Sequence, residues 1–233
     1  MDDTQHENIM KQILCTIALL AACLQAAAFG PDNPVSIYVN AGMGTRLGKA
    51  GGSTELDRQH AQKLGQGFSA QLEMVLSSPS IFTGGLIVND YHANATDRVV
   101  VTYSDGSQKT GDMTDVMDIW LFAPATYIRA ALLEGRLGTS LGVGIGPMGL
   151  RNKGVLVDYS VLKSGWCIGG VTSAHVEYRL NQKLSFGITT NLVVGELTSY
   201  KTKELSSGNV QKTSNASEAI SHVDAMLSVA FTF

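Results

Sequence analysis

Charge is scarce in this chain. Only 16% of its 233 residues are Asp, Glu, Lys or Arg, against roughly 25% in ordinary globular proteins. What charge there is nearly cancels, at −3, so no basic field exists to hold nucleic acid. An apolar run long enough to cross a bilayer as a helix, about 20 residues, is missing too. The longest, Ile13 to Leu24, is about a dozen residues, the size of a signal-peptide core. Cysteine is limited to Cys15, Cys23 and Cys167. The first two fall in that apolar segment, so Cys167 is left alone in the processed chain and no internal disulfide is expected. The five histidines show no metal-ligand spacing. "GVGIG" at 142–146 lacks the GK[ST] and helix of a phosphate loop. No metal and no cofactor are therefore expected.

Glycine is plentiful, at 25 residues, which argues against a mainly helical protein because glycine weakens helix interiors. The N-terminal segment sets the compartment. Lys11 supplies a short positive region, the apolar core follows, and Ala26 and Ala28 form an A-x-A site that predicts cleavage before Phe29. "LAAC" at 20–23 offers lipoprotein processing at Cys23 as an alternative. Translation starts at Met1 or at Met10, since the nine residues before Met10 have no signal character. Residues 1–28 are thus an extension plus signal peptide. Residues 29–34, containing "GPDNP", are a turn-rich spacer, and 35–233 form one domain.

Within 35–233 the dominant pattern is alternation with period two, the mark of strands with one apolar face. "VSIYVNAGM" sets Val35, Ile37, Val39, Ala41 and Met43 against Ser36, Tyr38, Asn40 and Gly42. "GFSAQLEMVL" sets Phe68, Leu72 and Met74 against Ser69, Gln71 and Glu73. "RLGTSLGVGIG", "CIGGVTSAHVEYRL", "LSFGITTNLVVG" and the terminal "SHVDAMLSVAFTF" repeat it, and "IFTGGLIVNDY" and "MDIWLFAPATYIRAA" do so less cleanly. Eight strands result, each near or above the ~9–11 residues that a tilted membrane strand needs. Links alternate between long and polar (46–63, 92–114, 147–165, 199–219) and short (77–80, 131–136, 181–183). That sorting suits an antiparallel up-and-down transmembrane β-barrel with both termini periplasmic. "VVVTYSDG" and "GVLVDYSVL" read as hairpin extensions above the membrane; if both were spans, the count would be ten.

Cost assigns the faces. Glu73, His175, Glu177, Arg179 and Asp224 all fall opposite the apolar residues. A cation on the lipid side costs roughly 2–4 kcal/mol at the midplane, so the apolar faces meet lipid and these five form a polar network in the lumen. An eight-stranded barrel is just wide enough to be filled by side chains. Tyr38 and Gln71 join the filling, and the glycine row at 138–146 leaves room for bulky opposites such as Tyr38 or Arg179.

The closing strand, with Leu227, Val229, Phe231 and Phe233 on one face, resembles the C-terminal assembly signal of bacterial outer-membrane proteins. The chain is similar to small OmpA/OmpX-type barrels over 35–233. That resemblance implies an outer-membrane location, lipid and the barrel assembly machinery as partners, a monomeric state, and surface loops facing an unidentified partner. It names no activity. Ser173, His175 and Glu177 share a strand face and invite a hydrolase reading, but residues i and i+2 lie about 6.6–7 Å apart along a strand, so Ser–His bonding needs the side chains to lean. The His-x-Ser motif of lipid A deacylases is absent, Glu177 standing at the serine position. A structural or recognition barrel that is not an enzyme is expected. A narrow porin-like diffusion channel and a lipid A-modifying enzyme are the alternatives.

Overall fold

A computed structural model describes residues 35–48, 55–76, 82–133 and 135–233. The signal peptide, the spacer at 29–34 and the 77–80 turn lie outside them. Among the described residues ten strands and one helix form. They are β1 (Val35–Arg46), α1 (Glu55–Leu64), β2 (Gln66–Leu76), β3 (Phe82–Thr102), β4 (Gln108–Leu132) and β5 (Leu137–Leu156). β6 (Tyr159–Arg179), β7 (Leu184–Val194), β8 (Glu196–Glu204), β9 (Val210–Ala219) and β10 (His222–Thr232) complete them.

Eight strands close a ring. β1 to β7 pair antiparallel in chain order, β7 pairs with β10, and β10 returns to β1 with Ser36 opposite Thr232. Closure leaves none of these eight ring strands with an open edge in the membrane band, which lipid demands because it offers no hydrogen-bond partner. The two extra strands are β8 and β9, a hairpin whose Lys201–Glu204 stretch adds to the upper part of β6 outside the ring. The segment 199–219, expected as a polar loop, is therefore mostly sheet.

β3 and β4 run 21 and 25 residues, about twice a membrane crossing, so their paired halves stand clear of the band. "VVVTYSDG" is that extension, closed by a turn with Gly106 at φ 83°, and "GVLVDYSVL" extends β5 and β6 in the same way. The 180–183 turn, Val35 and Phe233 gather at one end with the C-terminus of β4 and the N-terminus of β5; the hairpins gather at the other.

Burial alternates as the sequence pattern requires. In β2, Ser69, Gln71, Glu73 and Val75 are buried, and Phe68 and Leu76 are exposed. In β10, His222, Asp224, Met226 and Ser228 are buried beneath exposed Val223, Leu227 and Phe231. The exposed apolar side chains, among them Val39, Phe122, Val143, Ile168, Ile188 and Leu227, wrap the ring. A continuous apolar exterior around a polar interior is the inverse of a soluble barrel. Among the described residues no helix is long and apolar enough to cross a membrane; the strands do so.

α1 interrupts what the sequence suggested was a plain polar link. Acidic residues open it, Lys63 lies in its last turn, and Gly65 follows, its N–H donating to Ala61 and Gln62 carbonyls at 3.0 and 3.1 Å. This charge order favours a helix, but ten residues with little apolar content give a weak periodic signal. α1 lies over the hairpin end, where the Tyr91 hydroxyl donates to the Leu64 carbonyl at 3.0 Å.

Candidate functional site

The lumen is filled in three levels. The middle level centres on Glu73, which is fully buried. Its carboxylate accepts from Asn40 Nδ2 at 3.0 Å, from Tyr127 hydroxyl at 2.7 Å, from His175 Nε2 at 3.1 Å, and from Gln71 Nε2. Asp224, also fully buried, accepts from Ser69 Oγ at 2.6 Å and Asn89 Nδ2 at 3.0 Å. Asn191 joins the halves, donating to Gln71 Oε1 at 2.6 Å, and His222 Nε2 lies 3.0 Å from Asn89 Oδ1. A buried charge is tolerable only when bonded in this way.

Towards the short-turn end sits a second group. The Arg129 guanidinium donates to the Tyr38 hydroxyl at 2.9 Å and approaches Glu177 at 3.6 Å. Arg179 lies 3.8 Å from Glu177 with its side chain 41% exposed. Arg179 is therefore a rim residue, and Arg129 supplies the cation expected from it inside. Nor do Tyr38 and Arg179 fill the space beside the glycine row. A Cβ on Gly142 would come within 2.5 Å of Tyr127, and one on Gly138 within 2.6 Å of Glu177. These two side chains use the room that the glycines leave.

Towards the hairpin end the lumen turns apolar. Ile119, Leu121, Met148, Val193, Leu197 and Ile220 are almost wholly buried in one cluster with Tyr91. No alternation in the sequence signals this layer, because it makes β4 apolar on both faces.

Ser173 and His175 do lean together. Ser173 Oγ lies 3.0 Å from His175 Nε2. Yet the acid reaches the same nitrogen, and Nδ1 meets Thr189 Oγ1 at 2.8 Å. A hydrolytic relay needs serine on one imidazole nitrogen and the acid on the other. Ser173 is fully buried and directs its proton to Asn191 Oδ1 at 2.8 Å. Ser173 and His175 are both buried in the packed interior. Glu177 belongs to the lower group and takes no part in their contacts.

Above the apolar layer a cavity of about 940 Å³ opens at the mouth, lined by Arg46, His60, Asp115, Asn152 and Glu218 among others. α1 forms one wall. His60 Nδ1 meets Asp97 at 2.7 Å and Nε2 meets Asp115 at 3.0 Å; Lys63 also bonds to Asp97. Those bonds, from Lys63 first and then His60, hold the Asp97 carboxyl below the usual carboxylate range. Burial alone would raise Glu218, but donation from Lys163 at 2.6 Å and Arg46 at 2.7 Å leaves it lowered. Asn152 Oδ1 is the one buried side-chain polar atom without a partner among the described residues. His92, placed in a loop by the sequence reading, is on β3 and bonds to Asp118 at 2.7 Å. Leu227, Phe231 and Phe233 are exposed on the outer face, and Val229 half-buried beside them.

No protein-family model matches the chain, and no curated protein is similar to it in sequence. Solved structures do resemble it. A major outer membrane protein from Thermus thermophilus has a TM-score of 0.57 at 15% identity, covering 86% of this chain and 99% of that one. The outer membrane protease OmpT from Escherichia coli has a TM-score of 0.50 at 6% identity, covering 88% of this chain and 98% of that one. At such identities the likeness is one of fold: a small bacterial outer-membrane β-barrel.

Proposed function

We propose that this chain is an integral barrel of the bacterial outer membrane whose work is structural and recognitive, done at its hairpin end rather than through its lumen. One observation carries the reading: the lumen is blocked by a bonded polar level and a buried apolar level, and the large cavity lies outside that blockage. The hairpins and α1 then face outwards, and the short turns, Val35 and Phe233 face the periplasm. The mouth cavity, with the unpaired Asn152 Oδ1 in its wall, supplies the recognition surface. Residues 1–28 act as the export signal. Leu227, Val229, Phe231 and Phe233 guide a monomer through the assembly machinery. The chain is not an enzyme, since its Ser–His–acid cluster lacks relay geometry and is buried.

Planar-bilayer recording tests the closed lumen: purified protein should give no stable conducting steps, and large regular steps would favour the channel reading. Comparing lipid A mass spectra with and without the gene tests the enzyme reading; gain or loss of an acyl chain would establish it.

A further inference from the structure

Trp120 and Trp166 are the only two tryptophans in the chain, and they share one row of the outer face. Trp120 lies opposite Gly149, and Gly149 opposite Trp166. Both indoles are exposed, at 44% and 69%. Gly149 makes room for the Trp120 ring, with which a Cβ there would collide. This row marks the top of the apolar band on these strands: Leu141, Val143 and Ile145 are exposed below it, and Arg151 is the next outward residue above. Tryptophan prefers this level, where hydrocarbon meets headgroups.

The next row up is cationic. Arg151 lies opposite Ser164, Ser164 opposite Lys201, and Lys201 opposite Lys212. Like charges directly across a ladder repel, and Lys201 and Lys212 stand so. Arg151, Lys201 and Lys212 are exposed, and none forms an ion pair among the described residues. Lys203, exposed as well, follows one row higher. Across β4 the same row turns acidic, Arg151 lying opposite Asp118, which His92 holds at 2.7 Å, and one row below Asp90 lies opposite Trp120, so the cations are bounded on that side. Between the β5–β6 and β8–β9 hairpins lies a groove of about 800 Å³ lined by both tryptophans and these three cations. Rows in a sheet are about 6.6–7 Å apart along the strand, which sets the cations at headgroup height above the indoles.

We propose that this groove docks the phosphate-bearing headgroup of an anionic lipid in the leaflet around the hairpin end, Arg151, Lys201 and Lys212 holding the phosphate and the two indoles the adjoining chains. The site rests on the membrane reading above. It commits to a lipid rather than a free anion because both exposed indoles line the groove and continue the apolar band below it. Unpaired basic residues at a membrane surface attract anionic headgroups, each contributing about 1 kcal/mol, roughly a fivefold preference.

With both tryptophans at the site, intrinsic fluorescence reports on it. The full chain is reconstituted into phosphatidylcholine vesicles containing a minor fraction of brominated phosphatidic acid or, separately, brominated phosphatidylcholine. Wild type should be quenched by the acid as though it were enriched roughly fivefold or more over its bulk fraction. The Arg151→Gln/Lys201→Gln/Lys212→Gln variant, with its fold checked by heat-shifted gel mobility, should lose the enrichment, as should wild type in high salt. Equal quenching by the two lipids, an unchanged variant, or reversal by inorganic phosphate in the buffer would overturn the lipid site while leaving the membrane reading intact. No quenching by either lipid would overturn both.

Discussion

Two histidines show how differently the two ends of this interior are held. His175, in the lumen, touches Ser173 and Glu73 through Nε2 and Thr189 through Nδ1. Thr189 can give its proton to a neutral ring, or accept one from a charged ring and pass its own to Asn40 Oδ1 at 3.2 Å. Either state is fully bonded. His60, at the mouth, has a carboxylate at each nitrogen, and the Lys63 ammonium bonds to one of the two, Asp97. The lumen is secured by hydroxyls and amides that exchange roles; the mouth is secured by charge. A closed interior built the first way tolerates a change of conditions that a latch built the second way does not.

Breaking the lumen side has the largest expected effect. Glu73→Ala strands the donors on Asn40, Gln71 and Tyr127 together with the His175 ring, and a buried pair that loses one partner costs about 3–5 kcal/mol. Urea titration in detergent, followed by heat-shifted gel mobility, should show a large drop in midpoint; a wild-type midpoint would mean that the network contributes little. Thr189→Val sharpens the point by removing the role-exchanging hydroxyl alone. It should cost about 1–3 kcal/mol, the penalty for a buried unsatisfied group.

At the mouth the effect is local. His60→Gln should lower amide protection across 55–61 by roughly tenfold, the worth of a hydrogen bond to a charged group, with the global urea midpoint unchanged. The C-terminal end of α1 should stay docked, because the Leu64 carbonyl still accepts from the Tyr91 hydroxyl. Because the folded Asp97 pKa is depressed, its stabilisation is present above the ~3.9 of a free Asp and is lost as pH falls through the lower folded value. α1 should therefore remain docked through the ordinary carboxylate range and loosen below it, which amide spectra across an acid titration would follow. The smallest change is expected beyond both sites. Val157, a β-branched residue at φ 55° in the β5–β6 turn, is strained there. Val157→Asn should raise the unfolding midpoint by the equivalent of under about 1 kcal/mol.

What can be read from the sequence depends on the contrast between the two faces of each strand. β1, β2, β7 and β10 alternate between an apolar exterior and a polar interior, so the pattern puts Glu73 and Asp224, and on β6 His175, on the face that is buried. β4 borders the apolar level, where Ile119 and Leu121 point inward while Trp120 and Phe122 point outward. With no contrast there, nothing singles out Tyr127 and Arg129, and Arg179 takes the role of the lumen cation. β8 and β9 are wetted polar strands, and α1 buries little beyond Leu64 and His60; neither has an apolar period to detect. The mouth is assembled by contacts between segments far apart in the chain, such as His60 with Asp115, which no local pattern carries.

The meeting of β1 with β10 makes the barrel a ring in the topological sense. Ser36 faces Thr232, and the Phe233 amide donates to the Val35 carbonyl at 2.9 Å. A link no longer than a hairpin turn, about 2–5 residues, would span that gap. The eight spans are then a cyclic word with no first letter, and the seam between β10 and β1 is one cut among several equivalent ones. A rearranged gene that starts at Leu184, passes through such a link and stops at Arg179 would spell the same barrel, with its opening moved to the Asn181–Lys183 turn.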